Sequence, residues 1–549
     1  MASIKSILKT TLNLNHKCTK ILSCEEKVVK IQRFGETFDQ LQIFAHCEPY
    51  KKSGHRCPFC KKRCPGYDTK RDEESKWRAP NLNGIPVYIC YRPVRINCPE
   101  HGVQTEYIPW SDGKTRSTAD FNDEVAWLVC RMSKTAISQY LCINWHTVGD
   151  CIEASHNRIE PDITNRMHDL KRICVDETSY RKGQKYITVV YDMDRNRVVW
   201  VHDGNGFETF RLFCEELSVE ERDSIEIVAG DGASWIDRCT EMYFPNATRC
   251  IDFFHVVQWA NEKLDRVRVN TAVKANREYE LCKKKLSDEE NEENAERERI
   301  TEEISEQIRM VEEELSQYPA KRGRPCKRKK KLLDTLKALK GKLPEKPVYE
   351  RKSGRPKKDS LSPERQKELD ELQARAKDIK RSRYALGHNP ENRTEYQTEK
   401  IKLIENSYPD LYKAYQLKES LRIILHMKDA ELAEPELDIW INDAATSGLT
   451  PMTELSEKIK NHRTSILNSI KFQANSAKSE AVNTSIKVLI KMAHGFRNIG
   501  NLIALIYLKC SDLVIPLHNR PQLTAEKAAA LRQVANENRK KRESSPVPA

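Results

Sequence analysis

No stretch of the chain approaches the roughly 20 consecutive apolar residues that a bilayer-spanning helix needs. With 32% charged residues and a mean hydropathy of -0.71, a membrane-embedded protein is excluded. The opening MASIKSILKTTLNLNHKC lacks an uninterrupted apolar h-region of about 7–15 residues followed by a small-residue cleavage site. No secretory signal is therefore expected, and a cytoplasmic location without a membrane partner is. What the chain has in plenty is positive charge and cysteine. Lys and Arg number 94 against 81 Asp and Glu, a formal net charge of +13. Such an excess suits a polyanionic partner, because Lys and Arg release the counterions condensed on a phosphate backbone. The 18 cysteines of so long a chain read as reduced thiols, some of them metal ligands, rather than as a disulfide framework. At about 150 residues per domain, 549 residues predict three or four folded units.

Composition divides the chain further. An N-terminal segment, 1–50, carries one or two strands in IQRFGETFDQLQIFAHC. A Cys-, Pro- and Arg-rich module spans 51–112, and a helical segment spans 118–160. Short apolar strands alternate with helices over 170–262, the α/β pattern. Glu/Lys/Arg-rich helices fill 263–470, a last amphipathic helix lies within 471–510, and a polar tail, 511–549, reads as disordered.

In the second of these segments Cys57-Pro-Phe-Cys60 and Cys98-Pro-Glu-His101 are separated by 37 residues. Two tight turns can each present two ligands to one tetrahedral ion. Thiolate and imidazole are the donors of closed structural zinc sites, so Zn2+ in a structural role is expected. Cys64 and Cys90 are spare thiols, either of which can replace one of the four. Lys51, Lys52, Arg56, Lys61, Lys62 and Arg63 surround the knuckles.

In KTAISQYLCINWHTVGDCIEA a short helix, Lys134 to Leu141, meets a turn at Cys142 to Asn144 and a second helix begins at Trp145 with Asn144 as N-cap. Ile137, Leu141, Val148 and Ile152 supply a shared core, and small Ser138 lets the helices approach. This is the layout of a helix-turn-helix reader, which presents Trp145, His146 and Thr147 to base edges. The turn carries Cys142 where glycine is usual, and an ordinary helical hairpin is the competing reading.

KRICVDETSY ends an apolar strand at Asp176, and SIEIVAGDGASW ends another at Asp231, with 54 residues between them. YITVVYDMD and RVVWVHDG supply two more strands, and ATRCIDFF leads into a helix with Asp252 and His255 nearby. Carboxylates crowded at strand ends favour a divalent cation. Far downstream, Val482, Ile486, Leu489, Ile490 and Ala493 form the buried stripe of one helix. Glu480, Asn483, Lys487 and Lys491 line its other face, an acid and an amide beside two cations able to hold phosphate.

The Glu/Lys/Arg-rich region contains Arg322-Gly323-Arg324-Pro325 between Lys321 and Lys327, and Gly354-Arg355-Pro356 between Lys352 and Lys357. Both resemble AT-hooks, whose extended core enters a narrow minor groove. The second has Ser353 where the first arginine belongs, and a solvated linker is the alternative for both. The helices around them fit a coiled-coil hairpin or a dimer contact.

Taken in order, these features resemble a DDE transposase of bacterial insertion sequences, of the ISL-three family. The specific marks are the paired knuckles with CPEHGV and PW, the RMSKTA segment, VDE at the first strand, GDGAS at the later one, DFFHVV, and SEAVN with HGFRN. The resemblance covers most of the chain. It implies a multidomain α/β protein in which a ribonuclease H-like core is interrupted by a large helical insertion and preceded by a zinc module and a helix-turn-helix. Asp176, Asp231 and Glu480 match the acidic triad and would hold two Mg2+ (or Mn2+) ions, while Asp252 and His255 match an auxiliary motif. The 248 residues between Asp231 and Glu480 are accounted for by the insertion. The implied reaction is hydrolysis at the transposon end, then attack of the exposed 3'-hydroxyl on target DNA. The implied partners are double-stranded DNA, as terminal inverted repeats and target, and further copies of the chain as a homodimer or larger multimer at the nucleoid. A catalytically silent DNA-binding protein derived from a transposase and a ribonuclease H-like nuclease with another substrate are the competing functions.

Overall fold

The structure is a computed structural model that describes residues 19–33, 35–49, 54–69, 74–181, 183–318, 326–344, 361–474, 477–493 and 496–518, with Leu8 and Leu12. Arg322, Arg324 and Arg355 of the basic patches lie outside the described residues. The fold is mixed α/β and divides into two units, 1–255 with 464–549, and 256–463. Among the described residues no helix is long and apolar enough to cross a membrane.

The N-terminal expectation of strands holds as a long antiparallel hairpin, β1 (Thr19–Arg33) and β2 (Glu36–Pro49), turned at Gly35 with φ +83°. Next come β3 (Gly66–Thr69), β4 (Ser75–Leu82), β5 (Ile85–Tyr91), β6 (Val94–Cys98) and β7 (Gly102–Thr105). VYICYRPVRINC, a single strand-like run in sequence, is cut at Pro93 and feeds two sheets. One has the order β1-β2-β5-β4 and the other β3-β6-β7. Proline has no N–H for a ladder and fixes its own φ, so the chain changes partners there. The four-stranded sheet buries Ile43, Ala45, Trp77, Ala79, Val87 and Ile89 on one face, with Trp110 edge-on to Trp77.

Three helices follow: α1 (Ala119–Val129), α2 (Lys134–Tyr140) and α3 (Trp145–Ile159). The second sheet-bearing stretch comprises β8 (Arg172–Arg181), β9 (Lys185–Asp192), β10 (Arg197–Asp203), α4 (Gly206–Glu216), a short helix over Val219–Ser224, β11 (Ile227–Gly230), α5 (Ser234–Tyr243) and β12 (Thr248–Ile251). Its sheet order is β10-β9-β8-β11-β12. β10, β9 and β8 pair antiparallel, while β8, β11 and β12 run parallel. α4 and α5 cover one face through Phe210, Phe213, Ile236 and Cys239, packed on Val175, Val190 and Val228.

α6 (Phe253–Ser316) then carries the chain into the second unit. There it runs antiparallel to helix Pro363–Arg381. Arg268 Nη1 donates to the Lys380 carbonyl, Gln373 Nε2 to Tyr279 Oη, and Arg365 pairs with Glu290 and Glu293 at 2.6 and 2.7 Å. These contacts form a helical hairpin within the chain. Helices Glu395–Ser407, Pro409–Leu425, Ala430–Ala445 and Thr450–Asn461 complete that unit around Leu411, Leu421, Leu437, Trp440 and Leu455.

The chain returns to the first unit through α7 (Arg463–Lys471), α8 (Ala477–Met492) and α9 (Ile499–Cys510). These cover the other face of the five-stranded sheet. The expected stripe of α8 is the buried one: Ile486 and Leu489 are core, and Val482, Ile490 and Ala493 pack against it. The same cluster includes Phe121, Val125, Ile137, Leu141, Val148 and Ile152 of α1–α3 or their turns, so the three-helix segment and the sheet share one apolar interior. His156 stacks on Tyr507 at 5.3 Å between ring centroids, which fastens α3 to α9.

Candidate functional site

Register brings three acids into one row. In the parallel pairing Val175 lies opposite Gly230, and Gly230 opposite Ile251. The next residue along each strand is Asp176, Asp231 and Asp252, so the three acids leave the same level of three neighbouring strands about 4.8 Å apart. Close approach here depends on Gly230. A Cβ on it would meet the Val175 carbonyl oxygen at 2.9 Å and Ile236 Cδ1 at 2.8 Å. Each acid is also anchored. Asp176 Oδ1 accepts from the Glu177 N–H at 2.8 Å, and Asp231 Oδ1 from the Ala233 N–H at 3.0 Å. Asp252 Oδ1 accepts from the Phe254 N–H at 2.9 Å, at the start of α6.

Burial holds the Asp176 carboxyl above the usual carboxylate range. The Asp231 and Asp252 charges push the same way, against His255 and the Glu177 N–H. Anions forced together like this favour either a proton or a cation among them. Glu177, beside Asp176 in sequence, is raised too, first by burial, and its carboxylate accepts from the Gly206 N–H at 2.7 Å at the start of α4.

The helix that carries Glu480 meets the row through a neighbouring residue. Asn483 of α8 donates from Nδ2 to Asp176 Oδ2. Glu480 lies three residues earlier on the same helix and is exposed, a rise of about 4.5 Å. Lys487 and Lys491 continue that face, both exposed. Asn483 was legible only as a neighbour of Glu480 at i+3, and nothing in the sequence pointed to its bond with Asp176. Two clusters of three or more His, Cys, Asp or Glu with ligand atoms all within 4.8 Å of one another occur among the described residues, and neither contains Asp176, Asp231 or Glu480.

One of those clusters is Cys57, Cys60, Cys98 and His101. The first knuckle closes through Lys61 N–H to the Cys57 carbonyl at 3.1 Å, with Lys61 at φ +56°. The second sits in the β6–β7 hairpin, where Cys98 pairs with Gly102 at φ +67°. Cys60 Sγ to Cys98 Sγ is 3.7 Å, Cys57 Sγ to His101 Nδ1 is 3.8 Å, and Cys98 Sγ to His101 Nδ1 is 3.6 Å. A tetrahedron with Zn–S bonds of about 2.3 Å has S···S edges of about 3.8 Å. The ligand cage therefore has the dimensions of a zinc site. His101 beside it brings the Cys98 thiol down to about 6. Cys64 stays close to this group, within the Cys57–Ile96–Cys98 cluster, whereas Cys90 belongs to the four-stranded sheet, paired with His46.

In the helical segment the turn takes the expected shape. Cys142 has φ +53°, the left-handed conformation usually given to glycine. Ser138 Oγ donates to the Ile143 carbonyl at 2.6 Å across the tight corner. α3 begins at Trp145, with Asn144 in the N-cap position but without a side-chain cap bond. Trp145 and Thr147 are half-buried and His146 is exposed. Buried Lys134 holds its ammonium 4.6 Å from the Trp145 ring centroid.

Residues 173–335 and 358–506 match a protein family described as a transposase, that of the ISL-three DDE enzymes. The transposase for insertion sequence element IS1557 of Mycobacterium tuberculosis is 31% identical over 489 residues, which cover 88% of this chain and 93% of that protein. The transposase for insertion sequence element IS1001 of Bordetella parapertussis is 22% identical over 452 residues, 80% of this chain and 85% of that protein.

Proposed function

The chain belongs to the ISL-three family of DDE transposases, and from that premise we propose that it cuts DNA at the ends of an insertion sequence and joins them to target DNA. Asp176, Asp231 and Glu480 are the acids of the reaction. The observation that carries the proposal is the common level of Asp176 and Asp231 on adjacent parallel strands, with the helix of Glu480 bonded to Asp176 through Asn483. The strand order β10-β9-β8-β11-β12, antiparallel on one side and parallel on the other, supports a ribonuclease H-like core interrupted by a helical insertion.

A divalent cation fits the donor set. Asp176 is half-buried; its desolvation, together with the Asp231 and Asp252 charges, opposes its ionisation, and carboxylate oxygens are the ligands that Mg2+ and Mn2+ prefer. Asp176, Asp231 and Glu480 would hold it. A pair of such ions supplies charge neutralisation at the attacking and leaving oxygens of an in-line displacement at phosphorus.

The remaining work falls to the protein. Asn483 fixes the rotamer of Asp176, and Gly230 keeps the two strand-end acids in register. Asp252 and His255 are auxiliary: Asp252 caps α6, and His255 lies on the first turn of that helix, within electrostatic reach of Asp176. Lys487 and Lys491 extend from the same helix face as Glu480 and contact the DNA backbone. Trp145, His146 and Thr147 read base edges, and Arg322, Arg324 and Arg355 contact the minor groove. The Cys57–His101 cluster holds structural zinc. Water attacks first and frees a 3'-hydroxyl, which then attacks the target strand, so one set of acids serves both steps on paired ends held by a multimer.

The test is a labelled fragment bearing the element's terminal inverted repeats, incubated with purified protein and Mg2+ or Mn2+. Nicking at the repeat boundary, lost in Asp231→Ala with DNA binding retained, is the expected result. Sequence-specific binding without cleavage by the unaltered protein would instead identify a silent DNA-binding derivative.

A further inference from the structure

The second cluster of ligand-type side chains lies on the four-stranded sheet, on the face opposite its apolar core. Alternation along β2 turns Ile43, Ala45 and Cys47 inward, so Phe44 and His46 face the other way. Register does the rest. His46 lies directly across from Cys90 on β5, and Cys90 across from Lys76 on β4. Glu74 stands just before β4, two residues from Lys76 and on the same side. Glu25 of β1 lies opposite Phe44. Two hairpins, β1–β2 and β4–β5, thus deliver two carboxylates, an imidazole and a thiol to one patch.

The contacts within it are ordered. His46 Nδ1 is 2.8 Å from Glu74 Oε2, while His46 Nε2 is 3.2 Å from Glu25 Oε1. Ligand atoms of His46, Glu74 and Cys90 all lie within 4.8 Å of one another. Of the nearby cations, Lys76 stands over the Phe44 ring at 4.8 Å from its centroid, and Lys27 pairs at 2.6 Å with Glu25, which is not itself one of those three residues.

We propose that His46, Glu74 and Cys90 bind a second zinc ion, separate from the Cys57–His101 cage, with Glu25 as the carboxylate that orients His46. One sulfur, one nitrogen and one oxygen donor suit zinc better than the harder Mg2+ or Ca2+. With Glu25 accepting from Nε2–H, the Nδ1 lone pair is turned toward Glu74, and an ion between the two would replace their direct contact, the arrangement in which an outer carboxylate fixes the tautomer of a ligating histidine. Three protein ligands leave a fourth position for water. The ion would tie the β1–β2 hairpin to β4 and β5 across two seams of the sheet. In an ion pair of His46 with two glutamates alone, Cys90 has no part, and its substitution has no effect on metal content.

The full-length protein is loaded with zinc, dialysed against a weak chelator and analysed by elemental mass spectrometry. Two equivalents per chain are expected. A Cys57→Ser/Cys98→Ser variant should keep one of them, and Cys90→Ser in the unaltered background should lose one. Cobalt substitution gives a second readout, because the thiolate-to-cobalt absorption that survives in Cys57→Ser/Cys98→Ser must vanish when Cys90→Ser is added. Should Cys90→Ser fold poorly, Glu74→Gln on the sheet surface is expected to weaken the second equivalent by at least tenfold, and Glu25→Gln by roughly 10–100-fold. A single equivalent in the unaltered protein, or two that persist in both Cys90→Ser and Glu74→Gln, overturns the proposal.

Discussion

The side-chain amide of Asn483 donates to Oδ2 of Asp176, joining a helix to a strand between residues 307 positions apart in sequence. It is the bond through which the Glu480 helix meets the row of strand-end acids.

Asn483→Ala frees the Asp176 carboxylate to rotate. Cleavage at a fixed low Mn2+ concentration is expected to fall roughly 10–100-fold, as for other groups that orient metal ligands. Raising the Mn2+ concentration should recover part of the loss. A nicking assay titrated with Mn2+ measures both, and unchanged metal dependence would remove Asn483 from the site.

Gly230→Ala places a methyl group against the Val175 carbonyl and Ile236. Because the first is backbone, the strands must separate, at a cost of about 1–3 kcal/mol. The thermal midpoint should drop, and DNA cleavage should fall more than DNA binding.

Cys57→Ser, or treatment with a strong chelator, should release the ion of the knuckle cage. Amide protection over 54–69 and 94–105 is expected to disappear with it, since a module this small depends on its metal for order. Hydrogen exchange read by mass spectrometry checks the loss, and the five-stranded sheet serves as an internal control that stays protected.

Lys134 gives a stability signature against pH. Burial lowers its ammonium from 10.5 to about 8, so between those two values the unfolded chain binds the extra proton. Stability from this group therefore increases as pH rises from about 8 to about 10.5, by about 3 kcal/mol if the full shift is realised. Buried thiols such as Cys47, Cys130 and Cys151, pushed up by burial, slope the other way over the same range, so the signature is read as the difference in unfolding free energy between the unaltered protein and Lys134→Met, measured by denaturant at several pH values.

The features legible in the sequence were the local ones. Cys57, Cys60, Cys98 and His101 announce themselves because each knuckle is a short turn whose spacing alone sets the geometry. The tight corner between the helices Lys134–Tyr140 and Trp145–Ile159 was readable for the same reason, and Cys142 shows that a residue with a side chain can hold the left-handed turn position. Asp176 and Asp231 were visible as acids ending apolar strands. Their common level was not, because it depends on parallel register between strands separated by a hairpin and two helices. The cluster of Glu25, His46, Glu74 and Cys90 was hidden more deeply. Its members come together only after β5 pairs with β2 rather than continuing into β6, and no spacing along the chain encodes that choice. In the Glu/Lys/Arg-rich region the pairing of the two long helices was equally hidden, since Arg365 meets Glu290 and Glu293 on the opposite arm only once the hairpin has closed.

The apolar interior common to α1–α3 and the five-stranded sheet has a geometric corollary. If Trp145, His146 and Thr147 grip a sequence in the DNA while the strand-end acids cut it, the two tools belong to one casting with no swivel between them. The number of base pairs from the gripped sequence to the scissile bond is then a property of side-chain packing. Inserting five base pairs between them, half a turn of duplex, would rotate the cut onto the wrong face.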